Sequence, residues 1–452
     1  MGIVRRGTRR YLSRLEFRPA QTLALSFATV ILLGAFLLHL PESTFPDYRI
    51  SFLDALFTAT SAVCVTGLTV VDTGATFTRF GQGVILLMIQ VGAIGIMTFA
   101  AVFAALFGGM GIRDRVVMQD VMDLGNVGEV ARLIKAVFKV TLAVEAAGAV
   151  LLYFFFLPYF PAHGDAAYTA FFHSISAFAN AGFSTYSDSL MGFRGDVGIN
   201  VVIIALVVTG GLGFPVIINL KDYLFKGKQG RLTLHTKIVL SASGILLLAG
   251  GAGMLLTEWS GLFRGIPGWE AFLAAIFHTV AARTAGFNTI DISLISSGTL
   301  LLLALLMVVG GGPGSTAGGM KLTSVAVLFA TIRALFRGRE TPELFRRSLP
   351  RDIVLKAVAL FSLATLGLFT ATLILTLTET APFQQILFEA ASALGTVGLS
   401  MGLTPHLSPE GKFIVTLLMF FGRIGPLGLV LAIGQRRRKG LYYYPEERVI
   451  MG

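Results

Sequence analysis

Four times along this chain, an apolar run long enough to cross a bilayer is followed by a shorter apolar stretch, a glycine-bearing turn and a second long run. That alternation constrains the fold more than any other feature. A hydrocarbon core about 30 Å thick takes roughly 20 apolar residues as a helix, so the short stretches cannot span and read as re-entrant helices. Irregular backbone at membrane depth survives only where it is buried in protein or lines a water-filled cavity. Four such turns imply a lined pore. The spanning candidates are residues 20–40, 82–107, 136–157, 198–220, 237–257, 299–336, 353–377 and 412–434, eight in all. The expected fold is an all-α membrane protein. Four pseudo-symmetric repeats, each a membrane helix, pore helix, filter loop and membrane helix, surround one central pore.

Composition narrows the function. Hydrophobic residues make up 54% of the chain and charged ones 13%, against about 25% charged in an average soluble domain. A net charge of +11 could mark a nucleic-acid partner, but in a membrane chain basic residues more often mark the cytoplasmic loops. Their placement excludes nucleic acid: 28 of the 36 Lys and Arg fall in the amino terminus, the loops near 108–139, 221–237 and 333–356, and the carboxyl tail. Only Arg49, Arg79, Arg194, Arg264, Arg283 and Lys412 fall on the opposite side, while Lys321 and Arg423 sit within spans. Both termini are therefore expected in the cytoplasm, with the plasma membrane as the location. Carboxylates show the reverse bias, 13 of 25 lying in outer segments, including Asp54, Asp72, Asp188, Asp196, Glu270, Asp291 and Glu389. A negative outer vestibule that concentrates cations is one reading, and solvated loop carboxylates are the other.

Several chemistries are excluded. One cysteine, Cys64, permits neither an internal disulfide nor a cysteine-rich metal site. His39, His163, His173, His235, His278 and His406 are scattered without metal spacing, and no metal role is assigned to them. Residues 310–319 lack the phosphate-loop pattern, and the spans lack a nucleophile and base, which leaves a polytopic membrane enzyme as a remote alternative.

The turns align as Val65-Thr66-Gly67-Leu68-Thr69, Asn180-Ala181-Gly182-Phe183-Ser184, Thr284-Ala285-Gly286-Phe287-Asn288 and Thr396-Val397-Gly398-Leu399-Ser400. Each has a small, Gly, bulky, polar order, and the glycines are 115, 104 and 112 residues apart. An alanine stands five residues before each glycine, at Ala62, Ala177, Ala281 and Ala393. Each following helix carries a Gly-x-x-Gly: Gly92 and Gly95, Gly210 and Gly213, Gly311 and Gly314, Gly422 and Gly425. Those pairs read as close-packing surfaces. The turn glycines read differently, because glycine accepts backbone angles that let carbonyls point inward at an ion. Thr396-Val397-Gly398 repeats the start of the TVGYG filter, whose carbonyls replace a cation's hydration shell. The match lapses after the glycine, so one carbonyl layer per repeat is expected.

At these residues the sequence resembles the Trk, Ktr and HKT superfamily, in which four membrane–pore–membrane units in one chain form a single cation pathway. The absence of spans before the first repeat and the ending Tyr444-Pro445-Glu446-Glu447-Arg448 resemble the Ktr branch. The resemblance divides the chain into a basic amino terminus (1–19), repeats 1 (20–107), 2 (108–222), 3 (223–337) and 4 (338–439), and a carboxyl tail (440–452). It implies potassium uptake, since glycine in all four filter turns goes with potassium selectivity and serine in the first with sodium permeation. A sodium or nonselective monovalent cation pathway is the alternative, and sodium as regulator or coupling ion is left open. Channel-like conduction driven by the membrane potential would suffice. The partners implied are a second copy of the chain, contacted through Leu441 to Gly452, and a separate cytoplasmic ring that binds nucleotide.

Two asymmetries stand out. Repeat 3 reads Gly310-Gly311-Gly312-Pro313-Gly314-Ser315-Thr316-Ala317-Gly318-Gly319 in mid-span. Glycine costs about 1 kcal/mol and proline about 3 in a helix interior, so this segment predicts a loop, and the resemblance makes it an intramembrane gate. Arg423, alone in an apolar span, costs at least a few kcal/mol unless it faces a cavity or partner; the resemblance places it beneath the filter beside the gate. Arg283 is expected to brace the third turn, with Glu389 as a candidate partner. Lys321 is expected either to snorkel to the cytoplasm or to stay within the span, and Glu145 either to pair with a basic neighbour or to stand alone.

Overall fold

The computed structural model describes residues 19–106, 127–225 and 231–425. The basic amino terminus before residue 19, the loop segment 107–126 and the tail from 426, with Tyr444 to Arg448 and the Leu441–Gly452 contact segment, lie outside the described residues.

The chain winds through the same helical unit four times. Repeat 1 contains α1 (Pro19–Leu38), α2 (Phe52–Val63) and α3 (Arg79–Leu106); repeat 2 contains α4 (Val127–Phe156), α5 (His163–Ala179), α6 (Val197–Leu212) and α7 (Phe214–Phe225). Repeat 3 contains α8 (Leu234–Glu258), α9 (Gly268–Ala281), α10 (Ser297–Val308) and α11 (Leu322–Phe336). Repeat 4 contains α12 (Arg351–Thr378), α13 (Phe383–Gly395) and α14 (Pro409–Ile424). A two-stranded hairpin, Glu343–Leu344 with Arg347–Ser348, joins α11 to α12.

Lys135–Tyr159, α8 and α12 are each long and apolar enough to cross a membrane. They bury only 28%, 33% and 22% of their most apolar windows, presenting residues such as Leu142, Phe154, Leu248, Leu256, Phe369 and Leu377 outward. An exposed apolar surface of that extent fits lipid rather than water. The short helices invert the pattern: α2, α5, α9 and α13 sit in the interior and bury Thr60, Ser61, Ser176, His278, Thr279, Glu389 and Ser392. Polarity lies inside because the backbone and hydroxyls there have protein partners, which lipid cannot supply.

Helix starts are set by capping. Ser51 and Asp54 form a reciprocal capping box on α2, while Asp196, Ser296 and Ser408 cap α6, α10 and α14. Lys412 of repeat 4 pairs with Asp54 of repeat 1 at 2.7 Å, Arg79 of repeat 1 with Asp165 of repeat 2 at 2.7 Å, and Arg194 of repeat 2 with Glu270 of repeat 3 at 3.2 Å. Gln384 of repeat 4 donates to Ser297 of repeat 3 at 3.3 Å. Adjacent repeats are thus tied around the rim. Of the seven outer carboxylates named from the sequence, Asp54, Asp72, Asp196, Glu270, Asp291 and Glu389 are engaged in caps, ion pairs or internal hydrogen bonds. Their positions therefore answer first to folding.

The expected continuous span at 198–220 is corrected: α6 and α7 meet at a bend of 100°. Gly213 takes φ +97°, and Pro215 has no N–H for the Gly211 carbonyl four residues earlier. That carbonyl accepts from Gly312 instead, at 2.9 Å.

Candidate ion filter and gate

Each pore helix ends at a residue with positive φ two places before the turn glycine: Val65 (55°), Asn180 (60°), Thr284 (75°) and Thr396 (50°). In repeats 1, 2 and 4 the helix closes alike. The Val65, Asn180 and Thr396 N–H groups return to Ala62, Ala177 and Ala393 at 3.1, 3.0 and 3.1 Å, and the Thr66, Ala181 and Val397 N–H groups reach Ser61, Ser176 and Ser392 at 2.8 Å. This is a Schellman closure, a motif that ordinarily recruits glycine or asparagine for the left-handed place. Here three of the four are β-branched. Such a conformation costs of order 1–3 kcal/mol and persists where surrounding contacts enforce it, commonly at functional sites. Repeat 3 closes differently, with Ala285 and Gly286 both donating to the Ala281 carbonyl at 2.9 and 3.3 Å.

After the left-handed residue comes one of ordinary φ and then a glycine at +94°, +69°, +76° or +97° for Gly67, Gly182, Gly286 and Gly398. The four glycines close a ring. A Cβ on Gly67 would stand 2.6 Å from the Ala181 carbonyl oxygen, one on Gly182 2.9 Å from that of Ala285, and one on Gly286 2.5 Å from that of Val397. One on Gly398 would strike the Thr66 carbonyl. Each glycine therefore abuts the carbonyl that precedes the next repeat's glycine. The bulky residues Leu68, Phe183, Phe287 and Leu399 are buried and anchor the turns from behind.

Beneath the ring, repeat 3 is interrupted between Val308 and Leu322. Gly310 donates to Met320 at 2.9 Å and Leu322 to Gly311 at 3.1 Å, pinching the two ends of the loop together. The loop lies on the broken helix of repeat 2: Gly312 donates to Gly211, Thr316 to Gly210, and Phe214 to Gly314, at 2.9, 3.3 and 2.9 Å. The Thr316 hydroxyl donates to the Phe178 carbonyl at 3.1 Å. Gly318 faces the Thr396 side chain so closely that no Cβ would fit, which seats the loop against the filter turn. Gly310, Gly311, Gly312, Ser315, Thr316, Ala317 and Gly318 are buried, and Pro313, Gly314 and Gly319 half-buried. Arg423 is 3% exposed. It donates to the Thr316 carbonyl of the loop and, at 2.7 Å, to the Gly92 carbonyl of α3.

The profile of the TrkH cation transport proteins matches residues 12–436. The chain belongs to that family. It is 40% identical to Ktr system potassium uptake protein B of Bacillus subtilis (strain 168) over 442 residues, covering 97% of this chain and 98% of the relative. It is 36% identical to the potassium/sodium uptake protein NtpJ of Enterococcus hirae over 460 residues, covering 100% of both. The crystal structure of the potassium transporter TrkH from Vibrio parahaemolyticus superposes with a TM-score of 0.73, covering 93% of this chain and 86% of the other at 22% identity. The last likeness concerns the fold alone. This TrkH-family chain is a multi-pass membrane transporter and not an enzyme.

Three polar residues whose partners the sequence left open find them in the fold. Arg283 does not reach Glu389: its guanidinium donates to Ser243 at 3.1 Å, while Glu389 accepts from Ser400 at 2.8 Å and from Thr404. Among the described residues Glu145 meets no base. Gln90 donates to it at 2.6 Å, and the Glu145 backbone carbonyl accepts from Ser174 at 2.7 Å. Lys321 folds back to donate to Ala317 at 2.7 Å. The Gly-x-x-Gly pairs also resolve into two jobs. Gly92, Gly210 and Gly422 press on the Val63, Phe178 and Leu394 carbonyls at pore-helix ends, with no room for a Cβ. The second glycine takes positive φ in Gly213, Gly314 and Gly425, so in those repeats it departs from the helix.

Ser61 and Ser392 were missed. Their hydroxyls accept the Gly67 and Gly398 N–H groups at 3.0 Å, and Ser176 donates to the Phe183 carbonyl at 2.7 Å. The signal was present, since a serine stands six residues before the glycine in three repeats and Val280 replaces it in the third.

Proposed function

We propose that this chain is the potassium-selective, ion-translocating subunit of a potassium uptake system, with four repeats and eight spans around one pore. Val65, Thr66 and Gly67, Asn180, Ala181 and Gly182, Thr284, Ala285 and Gly286, and Thr396, Val397 and Gly398 form the filter. A dehydrated potassium ion is held by one ring of carbonyls, those of Thr66, Ala181, Ala285 and Val397. The cyclic contact of each glycine with the next repeat's carbonyl carries this reading, because four converging carbonyl dipoles substitute for a cation's water shell. Potassium is favoured by glycine at all four positions and by relatives named for its uptake.

The gate is the loop 310–319, held under the filter by Arg423. The guanidinium acts as a latch on the Thr316 carbonyl and as a fixed positive charge that raises the barrier to a cation leaving the filter. Inward movement draws on the membrane potential, about 2.3 kcal/mol per charge per 100 mV, and needs no covalent energy source. The subunit works in the plasma membrane with both termini cytoplasmic, as a homodimer joined to a cytoplasmic nucleotide-binding ring. The term "Ktr system" in relatives' names supports such accessory components. Sodium serves as regulator or coupling ion, an assignment supported by the potassium/sodium relative.

The deciding experiment is competition among potassium, rubidium and sodium in reconstituted vesicles, without added nucleotide. The wild type should prefer potassium and rubidium, and Gly67→Ser should weaken the preference by placing a side chain against the Ala181 carbonyl. Equal competition by sodium in the wild type would instead make this a nonselective pathway, and an unaltered ratio in Gly67→Ser would remove that glycine from ion selection.

A further inference from the structure

Counting back from the filter glycines, α5 carries His173 nine residues before Gly182, α9 carries His278 eight before Gly286, and α13 carries Glu389 nine before Gly398. All three side chains are fully buried. His278 has its Nδ1 against the Ala274 carbonyl at 2.8 Å and its Nε2 against the Thr289 backbone N–H at 3.3 Å. An acceptor on one side and a donor on the other fix the neutral tautomer with the proton on Nδ1. His173 has the same reach, with Nδ1 on the Thr169 carbonyl at 2.8 Å and Nε2 3.0 Å from Ser184 Oγ, a hydroxyl that also lies 3.1 Å from the Ser189 carbonyl. Glu389 accepts from the Ser400 and Thr404 hydroxyls.

The partners share a place. Ser184 and Ser400 stand two residues beyond their filter glycines and Thr289 three beyond, on the strand that leaves the filter outward. In three repeats a pore-helix side chain therefore crosses behind the filter and ties its outer strand to the helix. Repeat 1 lacks the tie: Thr58, nine residues before Gly67, is buried and its hydroxyl has no partner among the described residues. An apolar side chain would pack these sites without the cost of burying an imidazole or carboxyl group, a cost offset only when hydrogen bonds are made. The placement of those bonds is therefore informative.

We propose that His173, His278 and Glu389 are positioning residues for ion selection, holding three quarters of the carbonyl ring at a fixed radius, while the first quarter, whose Gly67 N–H is held by Ser61, lacks this second tie. The proposal rests on the reading of the four turns as a filter. A ring that relaxes inward accommodates a smaller cation, so loss of a brace should cost discrimination before it costs flux. A merely structural contact would instead reduce the yield of folded protein and the total flux, with the ion ratio unchanged.

The test uses the full-length protein in vesicles, with rubidium uptake competed by sodium and normalised to monodisperse protein. His278→Leu should lower rubidium-over-sodium discrimination by about tenfold, the equivalent of one buried hydrogen bond. His278→Gln, whose amide oxygen can accept from the Thr289 N–H, should retain most of it, and Thr58→Val should equal the wild type. If His278→Leu does not fold, Glu389→Gln, with one accepting oxygen in place of two, should shift the ratio in the same direction. A folded His278→Leu or Glu389→Gln with wild-type discrimination overturns the brace. Gly286→Ser separates the two ideas: if it moves the ratio while the brace variants do not, only the brace falls, and if it too leaves the ratio unchanged, the filter reading falls with it.

Discussion

At the glycine ring the four repeats share one backbone pattern, a left-handed residue two places before a glycine of positive φ, whereas beneath it the second helices diverge. The first, α3, runs unbroken through Gly92 and Gly95; α6 meets α7 at a bend of 100° at Gly213; α10 stops at Val308 before a buried loop; and α14 ends at Ile424, before Gly425, whose φ and ψ are close to those of Gly213. The difference reflects two requirements. A carbonyl ring needs equal contributions from every quarter, because one misplaced dipole spoils the cage. A loop that crosses the pathway needs an unequal neighbour to lie on, and the broken α6 offers its free Gly210 and Gly211 carbonyls. On the proposed reading, symmetry serves selection and its loss serves gating.

The largest expected effect breaks the symmetric half. Gly286→Ala places a methyl group 2.5 Å from the Val397 carbonyl, at a φ of +76° that a side chain resists. Uptake by correctly inserted protein should fall severalfold and its potassium-over-sodium preference should be lost, and normal flux with a normal preference would mean that the ring does not line the pathway. Next comes the asymmetric half. Arg423→Ala removes two hydrogen bonds from a buried cation, each worth about 1.5–3 kcal/mol, together with the fixed charge. Potassium uptake should rise about tenfold or more, and wild-type flux would dismiss the latch.

The smallest effect concerns the rim where adjacent repeats are tied. Burial acts to raise the Asp54 carboxyl, but hydrogen bonds from Lys412 and Ser51 and the Lys412 charge outweigh it and hold the group below its ordinary value. A depressed carboxyl contributes stability that is present above its unfolded pKa of about 3.9 and is lost as the pH falls through the lower folded value. Thermal melts in detergent should show this acid loss in the wild type and a flatter acid limb in Asp54→Asn. The difference should be about 1 kcal/mol or less, because the pair is partly solvated. Identical acid limbs would show that the rim tie adds nothing to stability.

Much of the proposed filter could be read before the structure. The alanine, the glycine, the bulky residue and the polar residue of each turn recur in register, and each now has a reason: a carbonyl acceptor, a ring contact, a buried anchor and, in repeats 2 and 4, a partner for the pore helix. Less legible was anything that depends on which repeat lies beside which. The Arg283 and Glu145 partners stayed open because Ser243 and Gln90 lie 40 and 55 residues away, and no local period points to them. The break in α6 was missed because hydropathy is blind to a glycine and a proline in an apolar run. His173 and His278 looked scattered because their register appears only when counted from the filter glycine.

The sequence by itself determined that this chain lies in a membrane, that it is built from four similar units and that each carries a turn only glycine can make. Hydrophobicity, helix length and backbone sterics act within one segment, so one segment suffices to read them. Only the tertiary structure decided which carbonyl faces which glycine, that Arg423 spans from the repeat 3 loop to repeat 1, and that the free carbonyls of α6 receive that loop. Those contacts join residues about 100 to 330 apart, and their energy depends on geometry that closes only when all four repeats are assembled.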